Sequence, residues 1–333
     1  MNNETKDFVF DEQQTRKLVR KAKLRSTMKI IGVSVIVTPI ILLILLYGLR
    51  QLSLHNAQKT MDEIILFNEI SAPNVHISNQ TANYNLFGGE IQTHTYKMLG
   101  NRPYIWEPIE GNYNVFGTYS PHYGSYGAIQ LDGSASLAES NQLETFNSYT
   151  GDREMFFYHP EIAYEWYKDS VSELGQLEEA LLVELGLSFD QPYSLDEIES
   201  KLPPNVQIVW WWADTYTDDR LNYMRHGQDT VKANSPFIYG FHSKQSKPRQ
   251  SQNDSFDEVD SFIKNIEHLR ESKNFEWEAN QVYQSLVGED GTLDKGDIKI
   301  IGAVVAGTTE QLKSLQNQTY IKASTFGVIS DRK

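Results

Sequence analysis

The chain has 333 residues, no cysteine and a formal net charge of −14. Disulfides and thiolate metal sites are excluded, and the acidic balance argues against nucleic acid as a partner. Forty per cent apolar residues, with 18 Tyr, 15 Phe and 6 Trp, suffice for a packed core, and without repeats or low-complexity runs the chain reads as globular.

The charge is unevenly placed. Residues 1–29 carry eight Lys/Arg against four Asp/Glu, so the remainder carries −18. Residues 1–10 show no pattern. From Asp11 onward acids come first and bases last, which suits a helix macrodipole with Asp11 as cap. This predicts a basic helix from about Glu12. Leu18, Ala22 and Arg25 share one face and Leu24 lies on another, so the apolar stripe is poor. Two readings stay open here: a helix that sets topology at the membrane surface, and a docking helix for a cytoplasmic protein.

Between Lys29 and Arg50 lie twenty residues, Ile30 to Leu49, without one charge. At 1.5 Å per residue a helix of this length covers roughly the 30 Å hydrocarbon core of a bilayer. A transmembrane helix is predicted, kinked at Pro39. Arg16, Lys17, Arg20, Lys21, Lys23, Arg25 and Lys29 crowd its N-terminal flank, whereas the other flank has only Arg50 and Lys59 before Asp62. The basic side stays in the cytoplasm. A cleaved signal peptide would have a shorter apolar region and a small-x-small site, and the sequence after Leu49 offers none. The expected localisation is the cell membrane, single-pass, with the N-terminus cytoplasmic and the C-terminal domain extracellular.

Ser53 to Ile70 reads as a helical continuation with Met61, Ile64, Ile65 and Asn68 on one side, stopped by Ala72-Pro73-Asn74. Val75 to Leu131 is rich in Tyr, Phe, Thr and Ile and punctuated by Gly88-Gly89, Gly100-Asn101 and Gly111-Asn112, which predicts strands and hairpins. Residues 134–200 are expected to be mostly helical. Leu174, Leu177, Leu181 and Leu185 fall at helical spacing before Gly186 as C-cap, and Ser194-Leu-Asp-Glu197 forms a capping box. Val206 to Trp212 and Ser235 to Phe241 read as strands, 242–254 as an exposed loop, 256–287 as two helices, and Ile298 to Ala306 as a central strand. Thr308-Thr-Glu-Gln311 caps a last helix before a strand from Tyr320 to Ile329. The predicted fold class is α+β: one N-terminal transmembrane helix, a β-rich membrane-proximal region and an α+β distal domain. The expected divisions are 1–29 cytoplasmic, 30–49 transmembrane, 50–73 helical stalk, 74–135 β-rich and 136–333 α+β.

Motifs for chemistry are lacking. The eight histidines show no HExxH or close pairing, and no GxSxG, GxxxxGK[ST] or GxGxxG occurs. The acidic stretch 288–297 fails as a calcium loop, since Leu286 and Gly288 would stand where ligands are needed. Asp214, Asp218 and Asp219 read better as turn residues. No metal, cofactor or catalytic residue is assigned. In a strand, Trp210 and Trp212 share one face and Trp211 takes the other, so Trp211 is a candidate for recognition at the surface unless both faces are covered.

Two regions resemble a known family. Arg16-Lys-Leu-Val-Arg-Lys-Ala-Lys-Leu-Arg25 runs straight into the span. The distal stretch runs through Tyr193 to Pro203, Val206 to Tyr216, Ile301 to Leu312 and Tyr320 to Ile329. Together they are similar to the sigma-factor regulator family of Gram-positive bacteria, single-pass membrane anti-sigma factors of the anti-sigma-M type. The resemblance implies an inner segment that helps hold an extracytoplasmic-function sigma factor inactive and an outer domain that senses envelope stress. Twenty-nine residues cannot build a multi-helix sigma-binding domain, so the resemblance implies contact either direct or through a second membrane protein. Arg16, Leu18, Val19, Arg20, Lys21, Ala22 and Leu24, within Phe8 to Arg25, are the expected contact residues. The competing reading is a membrane-anchored extracellular binding module for cell-wall or peptide ligands, and a third is a wall-active hydrolase with paired carboxylates.

Overall fold

The computed structural model describes residues 12–122, 128–130, 144–179, 181–226, 238–246, 257–288 and 290–330. One helix, α1 (Glu12–Ser71), spans 60 residues and passes Pro39 without a break. Its apolar stretch is exposed on all sides and is long enough to cross a bilayer, which fits a single-pass membrane protein. The helix stops where Asn74 adopts φ 55, a conformation asparagine tolerates better than most residues. The Asn68 amide donates to the Val75 carbonyl at 2.8 Å and closes the corner.

The chain then turns back along the helix it has just left. Strands β1 (Val75–Asn85), β2 (Gly88–Leu99), β3 (Arg102–Asn114) and β4 (Tyr119–Pro121) form an antiparallel meander in that order. From Ile91 onward the odd-numbered residues of β2, such as Ile91, Thr93 and Thr95, are buried, while the even-numbered ones are half-buried or exposed. A small second sheet follows, built from β5 (Ala128–Gln130), β6 (Thr145–Asn147) and β7 (Arg153–Glu154).

The rest is built on a five-stranded sheet. Its elements in chain order are α2 (Ser170–Glu173), β8 (Leu182–Tyr193), α3 (Leu195–Lys201), β9 (Gln207–Ala213), α4 (Asp218–His226), β10 (Gly240–His242), α5 (Glu258–Arg270), α6 (Glu276–Leu286), β11 (Ile300–Thr308), α7 (Thr309–Leu312) and β12 (Ile321–Ile329). The strand order is β10-β9-β11-β8-β12, every pair antiparallel. Ser194 and Thr308 form the expected capping boxes with Glu197 and Gln311.

The expected helix ending at Gly186 is not there. After Glu173 only a short 3-10 turn follows, and residues 182–193 are strand β8. Val183, Leu185, Leu187 and Phe189 are buried on one face while Glu184, Gly186 and Ser188 are buried on the other. A strand covered on both sides loses the polar alternation that identifies strands, so its leucines fall at helical spacing by coincidence. Gly186 caps nothing. A Cβ there would lie 3.0 Å from the Phe157 ring, so the glycine lets that aromatic close on the sheet.

Both faces of the five-stranded sheet are covered. One core joins α1, the meander, α5, α6 and the sheet face that carries Trp211 and Phe241. The other lies beneath the segment 155–167, where Phe156, Phe157, Tyr158 and Tyr164 pack on Trp210 and Trp212. Trp211 is therefore corrected from a surface candidate to a core residue, since all three tryptophans are fully enclosed. The alternation of the three rings holds; Trp211 is covered by the core it shares with α1, α5 and α6, and Trp210 and Trp212 by the segment 155–167.

Candidate functional site

Arg16, Leu18, Val19, Arg20, Lys21, Ala22 and Leu24 all lie on the first turns of α1, and all are exposed. Helical geometry of about 100° per residue puts Leu18 and Ala22 within about 40° of each other, Val19 about 100° to one side and Leu24 about 120° to the other. Leu18 is 67% exposed, and Val19 and Leu24 are nearly as open. Apolar side chains and cations thus alternate around the helix rather than separating into one apolar and one polar face. Phe8 to Asp11, also expected to take part, lie outside the described residues.

The other end of the same helix is embedded. Ser53, Asn56, Ala57, Thr60, Glu63, Ile64, Asn68 and Ile70 are buried, whereas Ile65, expected on the packed side, is partly exposed. The buried stripe is polar because it meets backbone as well as side chains. Ser53 donates to the Asn85 carbonyl at 3.1 Å, Asn56 to the Val115 carbonyl at 2.7 Å, and Glu63 accepts from Asn274 at 2.8 Å. Gln80 on β1 returns a bond to the Met61 carbonyl at 3.2 Å. A polar stripe at helical spacing reads in sequence as a solvated face, which is why these anchors escaped prediction.

A buried junction ties the end of α1 to the five-stranded sheet. Glu184 on β8 is fully enclosed. It accepts from Lys97 on β2 at 3.0 Å, from the Asn74 amide at 2.8 Å and from the Val328 backbone at 3.1 Å. Lys97 also lies 4.0 Å from the Trp106 ring centroid, a cation–π contact in a dry setting. One carboxylate thus holds the helix terminus, the meander and both strands β8 and β12. Its partners stand 110, 87 and 144 residues away in sequence, so no local pattern announces it.

Several other carboxylates have local partners. Asp290 accepts from the Thr292 backbone and Asp297 from the Asp294 backbone, fixing turns. Asp214 meets the buried His159 at 3.2 Å, and Asp218 and Asp219 sit in the first turn of α4. Burial lifts Glu107 above the usual carboxylate range; donation from Asn147 offsets this in part, and the nearby Glu154 charge adds to it. Glu258 is lifted the same way, by burial first, against the opposing charge and backbone N–H of Lys244. Among the described residues, Glu90, Glu110 and His122 bring potential metal-ligand atoms within 4.8 Å of one another. Glu110 already accepts from Gln92 at 2.6 Å, and His122 is bonded to Asn112 at 2.8 Å, so the trio is held by hydrogen bonds. An open groove of about 750 Å³ crosses the outer face of the meander, lined by His94, Tyr96, Met98, Ile105, Trp106 and Tyr149.

The architecture defines a protein with one long apolar helix, exposed and basic at its N-terminal end and gripped at the other end by a mixed α+β body. Two family models match this chain: sigma factor regulator N-terminal over residues 16–104, and sigma factor regulator C-terminal over residues 174–328. The chain belongs to the sigma-factor regulator family. No curated protein and no solved structure gives a significant match. The family is regulatory, and it implies a sigma factor as partner.

Proposed function

We infer that this chain is a non-enzymatic, membrane-anchored negative regulator of an extracytoplasmic-function sigma factor. Its N-terminus is cytoplasmic and its folded body lies outside, where it senses the state of the envelope. The cytoplasmic turns of α1 hold the sigma factor inactive, directly or with a second membrane protein that completes the inhibitor. Leu18, Val19, Ala22 and Leu24 supply the apolar contacts, while Arg16, Arg20 and Lys21 pair with acidic groups.

The observation that carries this reading is the continuity of α1. A single helix runs from the exposed basic turns to Ser71, and its last third is part of the hydrophobic core of the body. A rearrangement of that body has to move or rotate the helix, because Ser53, Asn56 and Glu63 are bonded to it. The surplus of cations on the N-terminal flank supports the orientation. The test is Leu18→Asp combined with Val19→Asp in cells carrying a sigma-dependent reporter. Transcription should rise while the membrane level of the protein stays constant; an unchanged reporter at equal protein level would contradict the reading.

A further inference from the structure

Strands β1 and β3 both run back along α1, so the β1–β2 and β3–β4 turns come together beside the start of its buried half. Hydrogen bonds fix their level. Ser53 donates to the Asn85 carbonyl at 3.1 Å, Asn56 to the Val115 carbonyl at 2.7 Å, and the Val115 backbone donates to the Phe87 carbonyl at 3.0 Å. Ser53 is four residues past Leu49, the last residue of the uncharged run, which places the turns about 6 Å beyond it along the helix. The interfacial layer of a bilayer extends roughly 5–7 Å past the hydrocarbon on each side.

The turns and the end of β1 carry large apolar side chains that are mostly exposed among the described residues. Phe116 is 80% exposed, Phe87 66% and Tyr84 53%. Their backbones are nevertheless well ordered by bonding. Asn114 accepts from the Phe116 and Thr118 backbones at 2.9 and 3.2 Å, and Gly117 takes φ +76 to close the second turn. Lys273 donates to the Phe116 carbonyl at 2.9 Å, and Arg50 precedes Ser53 by three residues on the helix. Aromatic tips at this height, with Lys273 beside them, match the belt that membrane proteins present to lipid headgroups.

We propose that Tyr84, Phe87 and Phe116 insert into the interfacial layer of the outer leaflet, so that the body rests on the lipid surface at two hairpin tips as well as on α1. This rests on the membrane-spanning reading of α1. The lipid surface then becomes a second support of the body, and a change in the packing of headgroups reaches Ser53 and Asn56 through the turns.

The absence of cysteine permits a direct test with nitroxide labels at single introduced cysteines. The full chain is reconstituted in phosphatidylcholine vesicles carrying Phe87→Cys, Phe116→Cys, Ser34→Cys inside the span, or Ile105→Cys. Ile105 lies nine residues up β3 from Asn114, or about 30 Å away. Accessibility to oxygen relative to a water-soluble nickel chelate should be severalfold higher at positions 87 and 116 than at 105, and lower than at 34. Positions 87 and 116 as open to the chelate as 105, with 34 still reporting membrane depth, would overturn the proposal alone. Protection of 87 and 116 from both reagents would overturn it in favour of a protein cover. An aqueous label at 34 would overturn the spanning reading, and the proposal with it.

Discussion

Glu184 shows how one side chain can organise a seam. Its charge is buried, and three donors meet it from three separate elements. Removing one partner of such a pair leaves an uncompensated buried charge, which costs about 3–5 kcal/mol. Lys97→Met should therefore lower the urea midpoint of the detergent-solubilised chain by an amount equivalent to that loss. Lys295→Met, at an exposed pair with Asp257 2.6 Å apart, should leave the midpoint nearly unchanged, because solvent screens that pair. Equal effects at the two sites would deny the junction its role. Glu107 makes a second prediction at this scale. Its folded-state carboxyl holds a proton more readily than the unfolded chain does, chiefly through burial, with Glu154 reinforcing it. Its contribution to stability is thus present below the ordinary carboxylate range and is lost as pH rises through its raised folded value. Glu107→Gln should be more stable than wild type at neutral pH, with the gap closing on acidification; a gap that is constant with pH would contradict the assignment. The capping residues Ser194 and Thr308 could be read from sequence because their partners lie three residues away. Glu184 could not, because nothing nearby marks a glutamate as buried.

At the scale of elements, α1 combines an apolar stretch long enough to cross a bilayer with a core helix, and only the first is written locally. Twenty uncharged residues announce a span, but the buried stripe of Ser53, Asn56, Thr60 and Glu63 looks like a solvated face until β1 and β3 are seen to run beside it. Strand β8 presents the converse difficulty, since cover on both faces erased its alternation. The three tryptophans obeyed the alternation of a strand, yet their burial depended on distant segments, α1, α5 and α6 over Trp211 and Phe156 to Tyr164 over Trp210 and Trp212. If α1 transmits through rotation or displacement, its phase between the two ends matters. Two leucines inserted after Leu43 turn one end relative to the other by about 200°, whereas four turn it about 400°, within about 40° of the original phase. The two-residue insertion should change sigma-dependent output at constant protein level, and the four-residue insertion should restore much of it. Equal output from both would argue that the helix serves only as a tether.

Across the whole molecule, charge and fold divide along the same line. The first 29 residues are net basic, and the acidic remainder folds around the far end of the same helix. The two family matches, 16–104 and 174–328, correspond to the helix with the first two strands of the meander and to the five-stranded sheet with the helices from α3 onward. Lys97 and Glu184 join one to the other, so the two parts work as one body. The outer groove over the meander and the aromatic tips beside Ser53 lie on this body too. The inner turns of α1 remain the only described part of the chain that the membrane-spanning reading leaves on the cytoplasmic side. A photo-activatable residue at Leu18, crosslinked in living cells and analysed by mass spectrometry, puts the central claim to trial. The account predicts an adduct with a sigma factor, or with a second membrane protein that itself carries the sigma factor. Adducts with lipid alone would contradict it.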